Sequence, residues 1–120
     1  MKKENSKSLD REELLKRVEH DEELAREILE IFRTDCAANR GVLRTVVENC
    51  QLDEVRNAAH AFKGMLANLA AGPAMEAAAH LETLAKDQNT KEIAGAWQTF
   101  DNELSGVLAE VEQLLAGALR

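Results

Sequence analysis

Apolar residues recur at three- and four-residue spacing along most of this chain, and that spacing constrains the fold more than any other feature. The clearest stripe is the last one, formed by Ile93, Trp97, Phe100, Leu104, Val107, Leu108, Val111, Leu114 and Leu115. A period of about 3.6 residues places such positions on one face of an α-helix. The 120 residues include one proline and six glycines, which leaves little material for the turns of a β-sheet. We therefore predict an all-α fold.

Short polar breaks divide this pattern into one short helix and four long ones. The predicted helices cover about 10–20, 21–50, 53–71, 73–86 and 91–118. Asp10 and Asp53 are predicted to cap the first and third helices, because aspartate accepts hydrogen bonds from free helix N–H groups. Short connections favour an antiparallel up-and-down four-helix bundle, with the additional N-terminal helix across one end.

The composition is that of a small acidic protein with one domain. Residues 1–8 are polar and without period, so we predict a flexible tail or linker, followed by the bundle domain over residues 9–120. A formal charge of −7 argues against nucleic acid as a partner. No apolar run reaches the ~20 residues that span a bilayer, which predicts a soluble cytoplasmic domain without membrane contact. One broad apolar face per helix predicts a monomer.

The two cysteines are predicted to be reduced. Cys36 and Cys50 lie on one predicted helix, about 21 Å apart at ~1.5 Å per residue, whereas a disulfide needs Cα atoms within about 7 Å. We expect two buried thiols.

The third predicted helix carries the chain's most informative surface. Its core-facing positions are Val55, Ala58, Phe62, Met65, Leu66 and Leu69. The opposite arc holds Asp53, Arg56, Asn57, His60, Lys63, Gly64, Ala67 and Ala71. His60 is therefore predicted to point into solvent, directly away from the core.

Two properties of that arc are unusual for an exposed helix face. Gly64 lies one turn after His60, although glycine inside a helix costs roughly 0.5–1 kcal/mol relative to alanine. Its missing side chain leaves open space beside the imidazole. In addition, none of the 22 acidic residues falls between Glu54 and Glu76, while Arg56 and Lys63 flank His60. An exposed imidazole beside a cation, with nothing bulky over it, suits a ring that accepts a phosphoryl group.

These residues resemble the signature of histidine phosphotransfer (HPt) domains, the intermediaries of multistep phosphorelays. The resemblance rests on His60-x-x-Lys63-Gly64, on Ala67-Asn68-Leu69-Ala70-Ala71 and on Leu81-Glu82, and it extends over about residues 9–119. The chain departs from the family pattern at Met65 and Leu66, where small residues are common, and at Ala70, where glycine is common.

The resemblance implies a role for each residue of the motif. His60 would be the phosphoacceptor, Lys63 would stabilise the phosphoryl oxygens, and Gly64 would keep access open. Receiver domains of response regulators or of a hybrid kinase would be the partners, and would supply the metal and the phosphoaspartate. The carrier itself would then be no enzyme and would need no cofactor, metal or nucleotide. Arg56, Asn57, Ala67 and Ala71 would form the flat surface on which the receiver rests.

Other interpretations stay open at this stage. HPt domains occur as separate proteins and at the C-terminus of hybrid sensor kinases, including membrane-bound ones, and the sequence does not decide between these. The phosphoacceptor domain of a chemotaxis kinase shares much of the pattern. The dimerising histidine domain of a sensor kinase fits less well, because it has an acidic residue where this chain has Ala61. A non-catalytic helical adaptor needs no functional His60.

The other two histidines serve as comparisons. His20 precedes three acidic residues, and His80 lies off the core arc of its helix with Glu76 one turn before it. A single Glu-x-x-x-His pair falls short of the ligand set of a di-iron bundle. Both are predicted to be ordinary surface residues.

Overall fold

Helices account for nearly all of the structure. The computed structural model describes residues 8–118, with nothing of the Ala118 side chain. The helices are α1 (Arg11–Arg17), α2 (Glu22–Glu48), α3 (Leu52–Asn68), α4 (Gly72–Lys86) and α5 (Thr90–Gln113), followed by a π-helical turn at Leu114–Ala118. No strand occurs within the described range. The all-α prediction is confirmed.

The four long helices close into a ring. Helix α3 packs against α2 and α4, and α5 packs against α4 and α2. Residues 49–51, 69–71 and 87–89 are the only links between successive long helices, and connections this short make sequential helices antiparallel. The predicted up-and-down four-helix bundle is therefore confirmed.

The interior of the bundle is apolar. Every buried residue in the described part of the chain is a hydrophobic one. Phe62 of α3 and Phe100 of α5 meet edge to face with ring centroids 5.1 Å apart, and half-buried Trp97 lies 6.1 Å from Phe100. Edge-to-face packing adds about 0.5–1.5 kcal/mol to the burial of such rings.

The first four helices end in the same turn, and no glycine takes part. After each helix the chain passes through a left-handed residue: Glu19, Cys50, Ala70 and Gln88, with φ of 55°, 53°, 58° and 59°. After α1 the next residue, His20, is left-handed as well, with φ of 62°. At the end of α3, Ala71 N–H donates to the Leu66 carbonyl and Ala70 N–H to the Ala67 carbonyl. This pair of bonds is the Schellman motif, which satisfies the last carbonyls of a helix. Equivalent pairs follow α1, α2 and α4.

This turn corrects one prediction about the exposed arc of α3. The helix ends at Asn68, three residues before the predicted limit, because Ala70 reverses the chain. Ala71 consequently faces the core and is only 1% exposed. The prediction that Ala71 belongs to a solvent-facing surface was wrong.

The helix caps follow the sequence only in part. Asp10 accepts from the Glu13 N–H, as predicted, and Asp21 caps α2 in the same way by accepting from the Leu24 N–H. Asp53, in contrast, lies inside the first turn of α3, where Gln51 is the N-cap residue without a side-chain bond. The predicted Asp53 cap was wrong, since the left-handed turn at Cys50 places the N-cap at Gln51, two residues earlier.

The cysteines occupy different environments. Cys36 is buried, and burial raises the pKa of its thiol to about 11 against the opposing charge of Arg40. Cys50 is exposed, which corrects the prediction of two buried thiols. It occupies the left-handed position of the α2–α3 turn, so its side chain leaves the helical register.

The segment before α1 lies against the last long helix. Residues 1–7 of the predicted tail lie outside the described residues. Ser8 is half-buried, and its hydroxyl lies where a side chain at Gly106 would have to be. Leu9 is buried and donates its N–H to a Glu110 carboxylate oxygen at 2.8 Å. The Asp10 N–H donates to the Ala70 carbonyl at 2.9 Å, which joins α1 to the turn between α3 and α4.

Ala70→Gly is expected to stabilise the bundle. A left-handed conformation costs a non-glycine residue about 1–2 kcal/mol, whereas glycine loses about 0.5–1 kcal/mol more backbone entropy than alanine on folding. The net gain should be on the order of 0.5–1 kcal/mol in the free energy of unfolding measured with urea. The matched control is Ala67→Gly, one turn earlier in helical conformation, which should lose about 1 kcal/mol. Equal losses in both variants would contradict the left-handed assignment.

Candidate functional site

His60 projects from the middle of α3 into solvent. Its side chain is 67% exposed, as the helical pattern predicts. The helix positions it by burying Val55, Ala59, Phe62 and Leu66 on the opposite face. Gly64, one turn later, is exposed, and a Cβ placed there would meet no atom within 4 Å. The ring is therefore approachable from outside the bundle.

A carboxylate from the neighbouring helix contacts one nitrogen of this ring. The Nδ1 atom of His60 lies 2.9 Å from an oxygen of Glu82 on α4. The Nε2 atom has no hydrogen-bond partner within residues 8–118. No acidic residue lies between Glu54 and Glu76 in the sequence, but the folded site does contain one, because α4 brings Glu82 next to His60.

Lys63 holds the second oxygen of the same carboxylate. Its Nζ lies 2.9 Å from Glu82 Oε1, while His60 Nδ1 contacts Oε2. The hydrogen bond from Lys63 is the main cause that lowers the pKa of Glu82, burial opposes it, and the bond to His60 adds to the lowering. Glu82 therefore stays ionised at neutral pH. Its stabilising contribution is present above the carboxyl's ordinary pKa and is lost as the pH falls through the lowered one.

The ionised carboxylate fixes the tautomer of His60. A carboxylate only accepts hydrogen bonds, so Nδ1 must carry the proton that lies between the two groups. In the neutral ring the lone pair is then on Nε2, the nitrogen without a protein partner. Nε2 is therefore the nitrogen that can act as a nucleophile, while the bond from Nδ1 to Glu82 fixes the orientation of the ring.

The remaining predicted site residues differ in their exposure around His60. Arg56 and Asn57 are exposed on α3, as predicted. Ala67 is only half-exposed, and its carbonyl accepts a hydrogen bond from the Arg17 guanidinium of α1. Ala71 is buried and takes no part in the surface. Helix α1 thus covers the C-terminal end of the predicted surface and leaves its centre open.

Glu82 is the residue that sequence reasoning did not assign a function. The pattern Leu81-Glu82 marked the position, but the distance along the chain from His60 gave no reason to join the two. A usable signal existed: Leu81 is fully buried, so the next residue lies at the edge of the helix interface. Antiparallel packing across a three-residue turn then brings it level with α3.

Neither of the other histidines has such surroundings. His20 and His80 are both exposed, and neither has a side-chain partner in residues 8–118. Exposure alone therefore does not distinguish His60, whereas the carboxylate and the lysine do. No cluster of three metal-ligating side chains exists in this part of the protein.

Comparison with known protein families gives one match. The model of the Hpt domain matches residues 27–117, which is most of the chain. The chain belongs to the Hpt domain family. Comparisons with curated proteins and with solved structures gave no match.

Membership has direct consequences for function. Hpt domains are helical bundles that act in histidine phosphotransfer within phosphorelays, as carriers rather than as enzymes with a nucleotide site. Receiver domains are the proteins with which such domains interact. None of the helices between residues 8 and 118 is long and apolar enough to cross a membrane.

The tautomer of His60 in this Hpt domain can be measured. At a pH where the imidazole is neutral, ¹⁵N NMR should show Nδ1 protonated and Nε2 unprotonated. Glu82→Gln should raise the Nε2–H population, because an amide both donates and accepts and no longer fixes the proton. Glu76→Gln, an exposed position on the same helix, is the control and should leave the spectrum unchanged. A protonated Nε2 in the unmodified protein would contradict the assignment.

Proposed function

We propose that this Hpt domain carries a phosphoryl group on His60 Nε2 between two receiver domains in two-component signal transduction. The observation that supports this most is the contact between His60 Nδ1 and the Glu82 carboxylate, which leaves Nε2 unprotonated and open. The proposed site of action is the cytoplasm, where receiver domains operate.

The transfer needs one bond to form and one to break. Nε2 attacks the phosphorus of a receiver's phosphoaspartate, and the bond from phosphorus to the aspartate oxygen breaks. The aspartate leaves as a carboxylate, while the Nδ1 proton stays on the ring. The ring gains positive charge in this step, and the Glu82 carboxylate at 2.9 Å stabilises that charge. The return step, to a second receiver, reverses these changes.

Lys63 has two roles in this proposal. In the resting site its ammonium group pairs with Glu82 and orients the carboxylate toward His60. When a phosphoryl group is present, the same ammonium lies one helical turn from the ring and is available to its oxygens. Arg56, one turn before His60, provides a second cation on the exposed face.

The receiver is proposed to dock around His60 on the open part of α3. Arg56 and Asn57 are exposed there, and Gly64 presents no side chain beside the ring. Ala67 lies at the margin, since α1 reaches its carbonyl. The surface is thus smaller than the sequence indicated, and it ends before the turn at Ala70.

The decisive test is phosphate transfer from a phosphorylated receiver domain. Labelled phosphate should appear on this protein as an acid-labile, alkali-stable adduct and should be absent from His60→Gln. His80→Gln and His20→Gln are matched controls, because all three histidines are exposed. Transfer that survives His60→Gln, or that fails with every receiver offered, would favour a non-catalytic helical adaptor.

Lys63→Ala is expected to slow transfer without unfolding the bundle. A partly exposed charge-assisted contact is worth on the order of 1 kcal/mol, so the rate should fall about fivefold. Lys91→Ala removes an exposed lysine from the first turn of α5, across the ring of helices from α3, and should transfer normally. The comparison uses single-turnover rates and circular dichroism of the same samples. An unchanged rate in Lys63→Ala would show that Lys63 does not take part in the transfer.

A further inference from the structure

The exposed boundary between α3 and α4 contains more positive charge than the proposed transfer uses. On this boundary, which we call the α3–α4 seam, the Glu82 carboxylate lies 2.9 Å from both His60 Nδ1 and Lys63 Nζ. Two further cations belong to the same pair of helices: Arg56 of α3 and Lys86 of α4. Lys86 has no role in the function proposed above.

The register of the two helices places Arg56 level with Lys86. Helices α3 and α4 are neighbours joined by residues 69–71, and the contact between His60 and Glu82 shows which of their residues are level. Arg56 lies four residues before His60 on α3. Lys86 lies four residues after Glu82 on α4. Both steps lead away from the connection between the helices, so each cation is about 6 Å along its helix from the pair of His60 and Glu82, at ~1.5 Å per residue.

Both cations also lie on the seam side of their helices. At about 100° per residue, Arg56 is about 40° from His60 around α3, in the same direction as Lys63, which contacts α4. Lys86 is about 40° from Glu82 around α4, turned away from the buried face of that helix. The two side chains therefore lie at the outer edge of the seam, one helical turn from the phosphoacceptor.

The protein itself neutralises neither cation. Arg56 and Lys86 are exposed, and neither has a hydrogen-bond or ion-pair partner in the part of the chain that the structure describes. Glu82 is level with the turn before them, and both of its oxygens are already engaged by His60 and Lys63. Two positive side chains on adjacent helices repel each other, and a bound anion removes that repulsion. The pair is thus arranged to receive an anion.

The charge of Glu82 indicates which anion this is. Its carboxylate stabilises the ring in the proposed transfer, but it also repels the negatively charged oxygens of an incoming phosphoryl group. In the resting site Lys63 is paired with that carboxylate. Arg56 and Lys86 are free to offset the repulsion from the moment the group arrives.

We propose that Arg56 and Lys86 form an anion-binding site that holds the phosphoryl oxygens beside His60 while the group is transferred. The inference rests on the proposed function for the source of the phosphoryl group. No bond forms or breaks at the two cations: they donate charge-assisted hydrogen bonds to oxygens that stay on phosphorus. Lys86 also lies in the last turn of α4, where a cation stabilises the helix end. That structural role alone affects unfolding and leaves anion binding unchanged.

Inorganic phosphate tests the site without any receiver. In NMR titrations at constant ionic strength, the amide signals of Arg56 and Lys86 should shift, with a dissociation constant in the millimolar range. Lys86→Gln should raise that constant about fivefold. Lys91→Gln, which removes an exposed lysine from α5, should leave it unchanged. Urea unfolding of the same variants measures helix stability separately, and an absence of shifts at the seam, or equal binding by Lys86→Gln, would overturn the proposal.

Phosphoramidate, a small donor that phosphorylates histidine directly, tests the site with the group on His60. Lys86→Gln should slow this phosphorylation about threefold, and Lys86→Arg should restore the rate because it keeps the charge. In the phosphorylated protein, ³¹P NMR should show that Lys86→Gln raises the pKa of the phosphoryl group by about half a unit, because a nearby cation favours the doubly charged form. Equal rates and equal phosphoryl pKa values in Lys86→Gln and the unmodified protein would contradict the proposed site.

A phosphorylated receiver domain distinguishes the phosphoryl group from the receiver's own carboxylates. Lys86→Gln should be slower with both donors. A variant that is slow with the receiver but normal with phosphoramidate would assign Lys86 to the receiver's surface, and our proposal would be wrong. Phosphate binding at the seam without labelling of His60 by either donor would retain the anion site and overturn the phosphotransfer proposed above.

Discussion

The close packing of α3 against α4 is the interaction on which the candidate site depends. Ala59 of α3 and Ala74 and Ala78 of α4 are fully buried, and their small side chains let the two helices approach each other. At this helix separation the glutamate side chain of Glu82 is long enough to reach His60. The bond at 2.9 Å is thus a consequence of alanines in the core. A larger residue at Ala78 would separate the helices and also release the carboxylate from the ring.

The resting site is nearly neutral although it contains a lysine. Glu82 is shared between Lys63 and His60, and it compensates the charge of the lysine when the ring is neutral. The sequence indicated a positively charged surface around His60, because only Arg56 and Lys63 of α3 were considered. The folded protein instead has a carboxylate between a permanent cation and a ring that would gain charge in the proposed transfer. Such a group stabilises the charged ring without moving, which is the advantage of preorganised electrostatics.

The helices were predictable from the sequence, and so was the end of α4 at Lys86, whereas the end of α3 was not. Spacing of apolar residues located the α2 and α5 stripes, because burial of one face determines a helix regardless of its neighbours. The left-handed turns occur at Cys50, Ala70 and Gln88, residue types that carry no such signal. Glycine or asparagine marks this position in most helices, so their absence hid the turns. The error at Ala71 follows directly, since a helix continued through Ala70 would have turned that side chain outward.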